Sequence, residues 1–456
     1  MSAYSIIKLS QLEGAKRIDA EFYQPEYLAM EKKFKKINWD FLKNLAYRIS
    51  RGKQPIYVDN GNVLVLTSDQ IRNDFLDLDS AKHTDENYYR RNKKAQLKFL
   101  DVLLNSTGIG TLGRVNFYYL DEKAVADSHI TIIRTFSKKL DPIFLNIFLK
   151  TAYGEYQINR SYTGSSGQIE LYPEHIKRFK IFLPSLDFQR EIAKLVKRAI
   201  KLHQTERNLY FQAERFLLQE LGLKDFKPQY HLSYTTTFSN TFNTHRIDAE
   251  YFQPIYEKMI EQLQKFRFTK LGEIATVERG SLIPPEFYHF TKGIPYIRGK
   301  NFSSNKLTTD NLIFINESFQ RKNETIVKKG DIVFALIGTV GSCALVFNEF
   351  DGAFISNNVG KISLKKGGVM PEYLNVVLSS LIGKLQFERY STQTAQPKIL
   401  PSDVRKFLIP LLSKPIQQKI SSLVQQSHQT RQKAKQLLEE AKRKVEKEIE
   451  KELWKK

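Results

Sequence analysis

Two kinds of apolar periodicity alternate along the chain. Short apolar runs at 62–67, 101–104, 129–133 and 180–183 predict β-strands, as do 331–336 and 360–364 later on. The spacing at 140–153 and again at 371–386 predicts helices. Two further segments are longer. After Pro184-Ser185, the residues Ile192, Leu195, Val196, Ala199, Leu202, Leu209, Ala213, Phe216 and Leu217 recur at helical spacing until Gly222. Near the other end, Ile416, Ile420, Leu423, Val424, Ala434, Leu437, Leu438, Ala441, Val445 and Ile449 repeat the pattern, with Glu439–Arg443 and Glu440–Lys444 as i,i+4 pairs on the outer face. A narrow apolar stripe on a long helix needs a partner helix. The nearest candidate is the other long helix, which predicts an antiparallel pair. The competing reading packs each helix separately on its own domain.

The two halves are copies of one another. Residues 17–25 read Arg-Ile-Asp-Ala-Glu-Phe-Tyr-Gln-Pro and residues 246–254 read Arg-Ile-Asp-Ala-Glu-Tyr-Phe-Gln-Pro. With small drift in spacing, Arg51-Gly52 matches Arg279-Gly280, Gly110-Thr-Leu-Gly113 matches Gly338-Thr-Val-Gly341, Pro142 and Leu145 match Pro371 and Leu374, and Gln189 and Ile192 match Gln417 and Ile420. A period this long marks a duplicated domain, not a solenoid. The expected fold class is α/β (α+β): two tandem domains related by an internal pseudo-two-fold duplication and separated by a pair of long antiparallel helices. The expected divisions are a first domain at 1–185, a first long helix at 186–222, a second domain at 223–412 and a second long helix at 413–456.

Charge adds a partner. Lys and Arg number 71 against 49 Asp and Glu, a net +22, and an excess of that size points to a polyanion such as nucleic acid. A merely Lys-rich solvated surface is the alternative. The aromatic content of 12% suits folded cores. A single cysteine, Cys343, leaves no disulfide framework and no all-cysteine metal site. No secretory signal or membrane-spanning stretch is visible, which points to the cytoplasm.

Catalytic signatures are missing. Gly108-Ile-Gly-Thr-Leu-Gly113 spells a dinucleotide fingerprint, but β-formers follow it where a helix is required, so a glycine turn in a β-hairpin fits better. Pro284-Pro285 has neither the Asp or Asn before it nor the aromatic after it that an amino-methyltransferase loop needs. The segment ending in Gly299-Lys300 lacks P-loop spacing, and Glu31-Lys-Lys33 is expected by chance in so Lys-rich a chain. The eight histidines show no zinc spacing. No catalytic residue, metal or cofactor is expected in this chain.

The repeated Arg-Ile-Asp-Ala-Glu-x-x-Gln-Pro segments carry a family resemblance. So do the starts of the long helices, 181–192 and 409–420, where Pro415-Ile416 stands in place of the usual Leu, and the polar loops Tyr162-Thr-Gly-Ser-Ser-Gly-Gln168 and Tyr390-Ser-Thr-Gln-Thr-Ala-Gln396. Over essentially its whole length the chain resembles the specificity subunit of Type I restriction–modification systems. The resemblance implies two target-recognition domains, each reading half of a split, asymmetric DNA site, with the helices as a ruler between them. It also implies two methyltransferase subunits docked on the repeated segments, ATP-driven restriction subunits in the full complex, and S-adenosylmethionine carried by the partner. A helix of about 35 residues is about 52 Å long, which matches roughly 15 base pairs.

Arg and Lys suit guanine, and Asn and Gln suit adenine, in the major groove. In the first copy the candidate DNA contacts are Arg51, Lys53, Gln54, Arg90, Arg91, Arg114, Ser165, Ser166 and Gln168. In the second they are Arg279, Arg298, Lys300, Asn301, Arg321, Lys322, Gln393, Thr394, Gln396 and Lys398. Each could instead position phosphates or sit solvated. Arg17, Asp19, Glu21 and Gln24, with Arg246, Asp248, Glu250 and Gln253, form either an internal salt-bridged clasp or a methyltransferase surface. Two other functions stay open: a self-contained DNA enzyme with an unfamiliar active site, and a coiled-coil scaffold that binds only protein.

Overall fold

Side-chain alternation along the strands decides the layering. The computed structural model describes residues 4–10, 12, 17–164, 169–227, 229–289, 291–303, 305–317, 319, 325–365, 367–392 and 394–455. They divide into a first unit, Met1–Gln204 with Arg431–Lys456, and a second, Thr205–Thr430.

In the first unit, helix α1 (Pro25–Phe34) precedes β1 (Trp39–Phe41), β2 (Ala46–Arg51), β3 (Val63–Leu66), β4 (Lys82–Thr84), α2 (Glu86–Arg91), β5 (Val102–Asn105), β6 (Val115–Phe117), β7 (Ala124–Ala126) and β8 (Ile130–Thr135). Then come α3 (Pro142–Lys150), α4 (Ala152–Ser161), β9 (Lys180–Phe182) and the long α5 (Leu186–Glu220). Strands β2-β8-β5-β6 form an antiparallel sheet, β4-β3-β7 a small mixed one, and β1 pairs with β9. Successive residues face opposite ways. Val102, Leu104 and Ile133 therefore join α3 and α4 in one core, while Leu103, Ile130 and Ile132 meet Leu64 and Leu66 of β3 in a second. The other face of β3, Val63 and Val65, packs on Tyr88 of α2.

The second unit repeats this plan. It contains α6 (Pro254–Gln264), β10 (Phe268–Lys270), β11 (Ala275–Arg279), β12 (Tyr288–His289), β13 (Ile294–Ile297), the hairpin β14 (Phe302–Ser303) with β15 (Lys306–Leu307), and β16 (Ile313–Ile315). It continues with β17 (Ile332–Ala335), β18 (Cys343–Leu345), β19 (Phe354–Ile355), β20 (Val359–Leu364), α7 (Pro371–Ser379), α8 (Leu381–Tyr390), β21 (Leu408–Pro410) and α9 (Lys414–Lys455). The sheet order β11-β20-β17-β18 is that of β2-β8-β5-β6, and β10 pairs with β21 as β1 does with β9. Ile332 and Phe334 face α7 and α8, while Val333 faces Ile297 and Ile355 of the smaller sheet.

The repeated glutamine at the start of each long helix has a physical cause. Buried Gln189 accepts from the backbone N–H of Asp141 at 2.8 Å and donates to Pro184 O at 3.1 Å. Gln417 does the same with Met370 (3.0 Å) and Leu412 (2.9 Å). Each ties the first turn of a long helix to the start of α3 or α7.

Helix α5 has 35 residues and α9 has 42. In the first unit Glu191 pairs with Lys444, and Ala199 packs with Ala434. In the second, Ser427 Oγ donates to Glu206 O at 3.0 Å and Lys419 lies 3.9 Å from the Phe216 ring centre. In each unit the partner's number falls as α5 advances, so the helices run antiparallel. They also join the sheet cores, Ile192 and Val445 in one and Leu217 and Ile420 in the other. Pairing and packing on the domain therefore occur together. No helix among the described residues is long and apolar enough to cross a membrane.

Candidate nucleic-acid interface

A close backbone approach fixes the same corner in both units. A Cβ on Gly52 would lie 2.2 Å from Ala126 O, and one on Gly280 would lie 2.2 Å from Ile355 O. Only glycine fits such a contact. This explains the repeated Arg-Gly without any ligand, and it seats the loop after β2 or β11 against the turn after β7 or β19. Beside it runs the glycine turn. Gly108, Gly110 and Gly113 in one unit, and Gly338 and Gly341 in the other, have positive φ and lead into strands β6 and β18. This is hairpin geometry, not a dinucleotide loop.

In the first unit Arg51 forms an ion pair with Glu170, donates to Leu171 O at 3.2 Å and lies 5.5 Å from the Tyr172 ring centre. Tyr172 and Arg51 hold the Glu170 carboxyl below its ordinary range. Exposed Lys53 donates to Asn92 Oδ1 at 2.7 Å, next to exposed Arg91 at the end of α2. Gln54 accepts from Ser128 Oγ at 3.5 Å. These side chains share one surface. Arg90 instead turns to Glu86 at 3.2 Å, which also binds Lys123. Arg114 is 8% exposed and sits within the fold. Ser165, Ser166 and Gln168 lie outside the described residues. The flanking Ile169 accepts from Gly108 N at 3.2 Å, at the start of the glycine turn.

In the second unit exposed Arg279 donates to Asn357 O at 2.5 Å. Arg298 is half-buried and donates to Asn311 O at 2.7 Å; burial lowers its pKa. Asn301 is fully buried. Its Oδ1 accepts from Arg298 N at 3.0 Å and its amide donates to Thr308 O and Asp310 O. Only Lys300 of that short turn is exposed. Exposed Thr394, Gln396 and Lys398 share a loop whose Pro397 O accepts from Gly338 N at 2.9 Å. Arg321, Lys322 and Gln393 lie outside the described residues.

The repeated Arg-Ile-Asp segments make a clasp. Arg17 donates twice to Asp19, both at 2.6 Å, and lies 5.0 Å from the Phe22 ring centre. Arg246 donates twice to Asp248, both at 2.5 Å, and lies 4.8 Å from the Tyr251 ring centre. The arginine hydrogen bonds hold both aspartates below their ordinary pKa. Gln253 exchanges two 3.0 Å hydrogen bonds with the backbone of His231. Glu21, Gln24 and Glu250 remain exposed, and Ile18 and Ile247 are 89% and 91% exposed between the clasped residues.

One element of this surface is absent from the residues picked out by type: the turns Asp127-Ser128-His129 and Ser356-Asn357-Asn358. Their signal in the sequence is a polar triplet between two apolar strands.

The family description "Type I restriction modification DNA specificity domain" matches the chain twice, over residues 32–215 and 264–443. No curated protein matches it. Among solved structures, the S subunit of a Type I restriction-modification system from M. genitalium is 15% identical, covering 91% of this chain and 96% of its own at a TM-score of 0.38. The HsdS subunit from Thermoanaerobacter tengcongensis is 17% identical over 91% and 96%, with a TM-score of 0.30. A structure concerned with complex assembly and conformational transition of the type I R-M system is 16% identical over 91% and 97%, also with a TM-score of 0.30. The two family matches take in most of the sequence, and the chain belongs to the Type I restriction modification DNA specificity domain family, which recognises DNA sequence.

Proposed function

We propose that each unit reads one half of a split, asymmetric DNA site and that the chain has no catalysis of its own. The observation that carries this reading is one sheet frame, built twice, ending in unlike polar tips. Like frames hold the two readers to the same kind of task; unlike tips give them different bases. Lys53, Gln54, Arg91, Arg279, Lys300, Thr394, Gln396 and Lys398 are the exposed candidates for direct contact, and Arg51 exchanges Glu170 for a phosphate or base when DNA arrives. The divisions at about 185, 222 and 412 separate readers from long helices, which set the distance between half-sites. Two methyltransferase subunits dock on the repeated segments, where Ile18 and Ile247 offer matching apolar contacts, and restriction subunits complete the complex. Methylation chemistry and S-adenosylmethionine belong to those partners.

The test is to combine the chain with its cognate methyltransferase and S-adenosylmethionine and map methylated adenines by long-read sequencing. One split motif, with no methylation by the chain alone, is expected. Methylation or cleavage by the isolated chain refutes the reading. Matched seven-residue insertions in α5 and α9 lengthen the spacer by about 3 base pairs and leave both half-sites intact; an unchanged spacer refutes the ruler.

A further inference from the structure

We propose that the turns Asp127–His129 and Ser356–Asn358 determine specificity, each presenting one side chain, His129 or Asn358, to a base edge of its own half-site. The assignment rests on the two-half-site reading and adds residues to it.

The two turns are anchored alike, almost wholly through backbone. Asp127 N donates to Leu66 O at 3.0 Å, and Ser356 N to Ile297 O at 2.9 Å. Ser106 N donates to His129 O at 2.8 Å, and Leu336 N to Asn358 O at 2.9 Å. Gly52 N donates to Ile130 O and Gly280 N to Val359 O, both at 3.0 Å. Three elements thus hold each turn, and none of those hydrogen bonds uses a tip side chain. Along each triplet the first residue is buried, the second half-buried and the third exposed, in the same order in both units. A rigid backbone with an exposed, unlike side chain in each copy is what base readout requires.

In each unit a candidate DNA contact is bonded to the turn. Ser128 reaches Gln54, His129 Nδ1 lies 2.6 Å from Thr107 Oγ1 at the foot of the glycine turn, and Arg279 bonds Asn357 O. With Nδ1 engaged, His129 keeps Nε2 for one base-edge group. Asn358 carries both a donor and an acceptor, the pair that matches adenine N7 and N6.

The experiment uses the full methyltransferase complex with the wild-type chain, His129→Asn and Asn358→Ala, and maps methylated sites while competition binding measures affinity across salt. His129→Asn should alter one position of the first half-site and leave the second unchanged. Asn358→Ala should weaken preference at one adenine of the second half-site on the order of tenfold to hundredfold and leave the first unchanged. Both variants should melt as the wild type does. If methylation is lost altogether, binding decides: loss confined to the cognate site with an unchanged salt slope supports base readout, whereas a slope reduced by about one marks a phosphate contact and overturns it. Unchanged half-sites in either variant, or a change in the wrong half-site, also overturn it. A wild-type complex with no split motif instead overturns the two-half-site reading, and this assignment with it.

Discussion

The two units solve one packing problem differently. In the first, the seam between α1, α4 and β9 closes on Glu31, which accepts from Arg160 and from Tyr156 Oη, both at 3.1 Å, and pairs with Lys180. In the second, the matching positions hold Ile260, Leu385 and Leu408, and Arg389 reaches Glu257 at 2.6 Å, one turn earlier on the helix. Both arginines still cover the aromatic of the repeated segment, Arg160 at 4.0 Å from the Phe22 ring centre and Arg389 at 4.7 Å from that of Tyr251. The arginine–aromatic contact and the backbone path persist while the carboxylate moves. Duplication has kept the geometry and let the chemistry of its closure drift.

The strongest challenge to the shared frame is at its glycines. Gly52→Ala should destabilise the first unit by about 3 kcal/mol or more, because the obstacle is backbone carbonyl and cannot rotate away. Gly280→Ala should do the same to the second. Each should abolish recognition of one half-site only, read by calorimetry and methylation mapping; a silent Gly52→Ala would remove the steric account.

The seam itself comes next. Glu31→Ala strands Arg160 and Lys180, whose side chains are 13% and 17% exposed, and should cost about 2 kcal/mol. Glu31→Ile with Lys180→Leu copies two apolar positions of the second unit and should restore part of that loss, since Arg160 still lacks the carboxylate that Glu257 gives Arg389. A double variant as unstable as the single one would show that the two closures are not interchangeable. Gln189→Ala and Gln417→Ala should cost equal amounts, about 1–2 kcal/mol each, since each leaves one backbone N–H without its partner. Unequal losses in chemical denaturation would break the equivalence of the two helix starts.

The smallest effect is in pH. Burial, with the charges of Arg17 and Arg178, lowers the His175 pKa from its ordinary 6.5 despite a backbone hydrogen bond involving Ser161. A depressed histidine favours the neutral form in the fold. Its contribution is therefore full above pH 6.5 and lost as pH falls below that value. Asp403 holds the matching position in the second unit. His175→Gln should flatten the acid side of the first unit's melting curve slightly, and an unaltered slope would show that His175 is not its source.

The strands were readable because their apolar runs lie between two layers, as Val102, Leu103 and Leu104 do, facing both cores in turn. The long helices were readable because a narrow stripe has one physical use. The interface was less legible. Arg114 and Asn301 have the residue types of DNA readers, yet the fold buries them; type alone does not separate an internal hydrogen-bonding group from an outward one. The turns at 127–129 and 356–358 are too short for periodicity to mark. Their position depends on glycine contacts with Ala126 O and Ile355 O, distant in sequence.

Anchorage mainly by main chain also bears on how such a molecule evolves. At His129 and Asn358 a single codon change alters the tip and leaves the backbone hydrogen bonds to the three neighbouring elements in place. Recombination between the halves at their common Arg-Gly dipeptides would join backbones held by the same glycine contact. If these turns read bases as proposed, a lineage acquires a new target without passing through an unfolded intermediate.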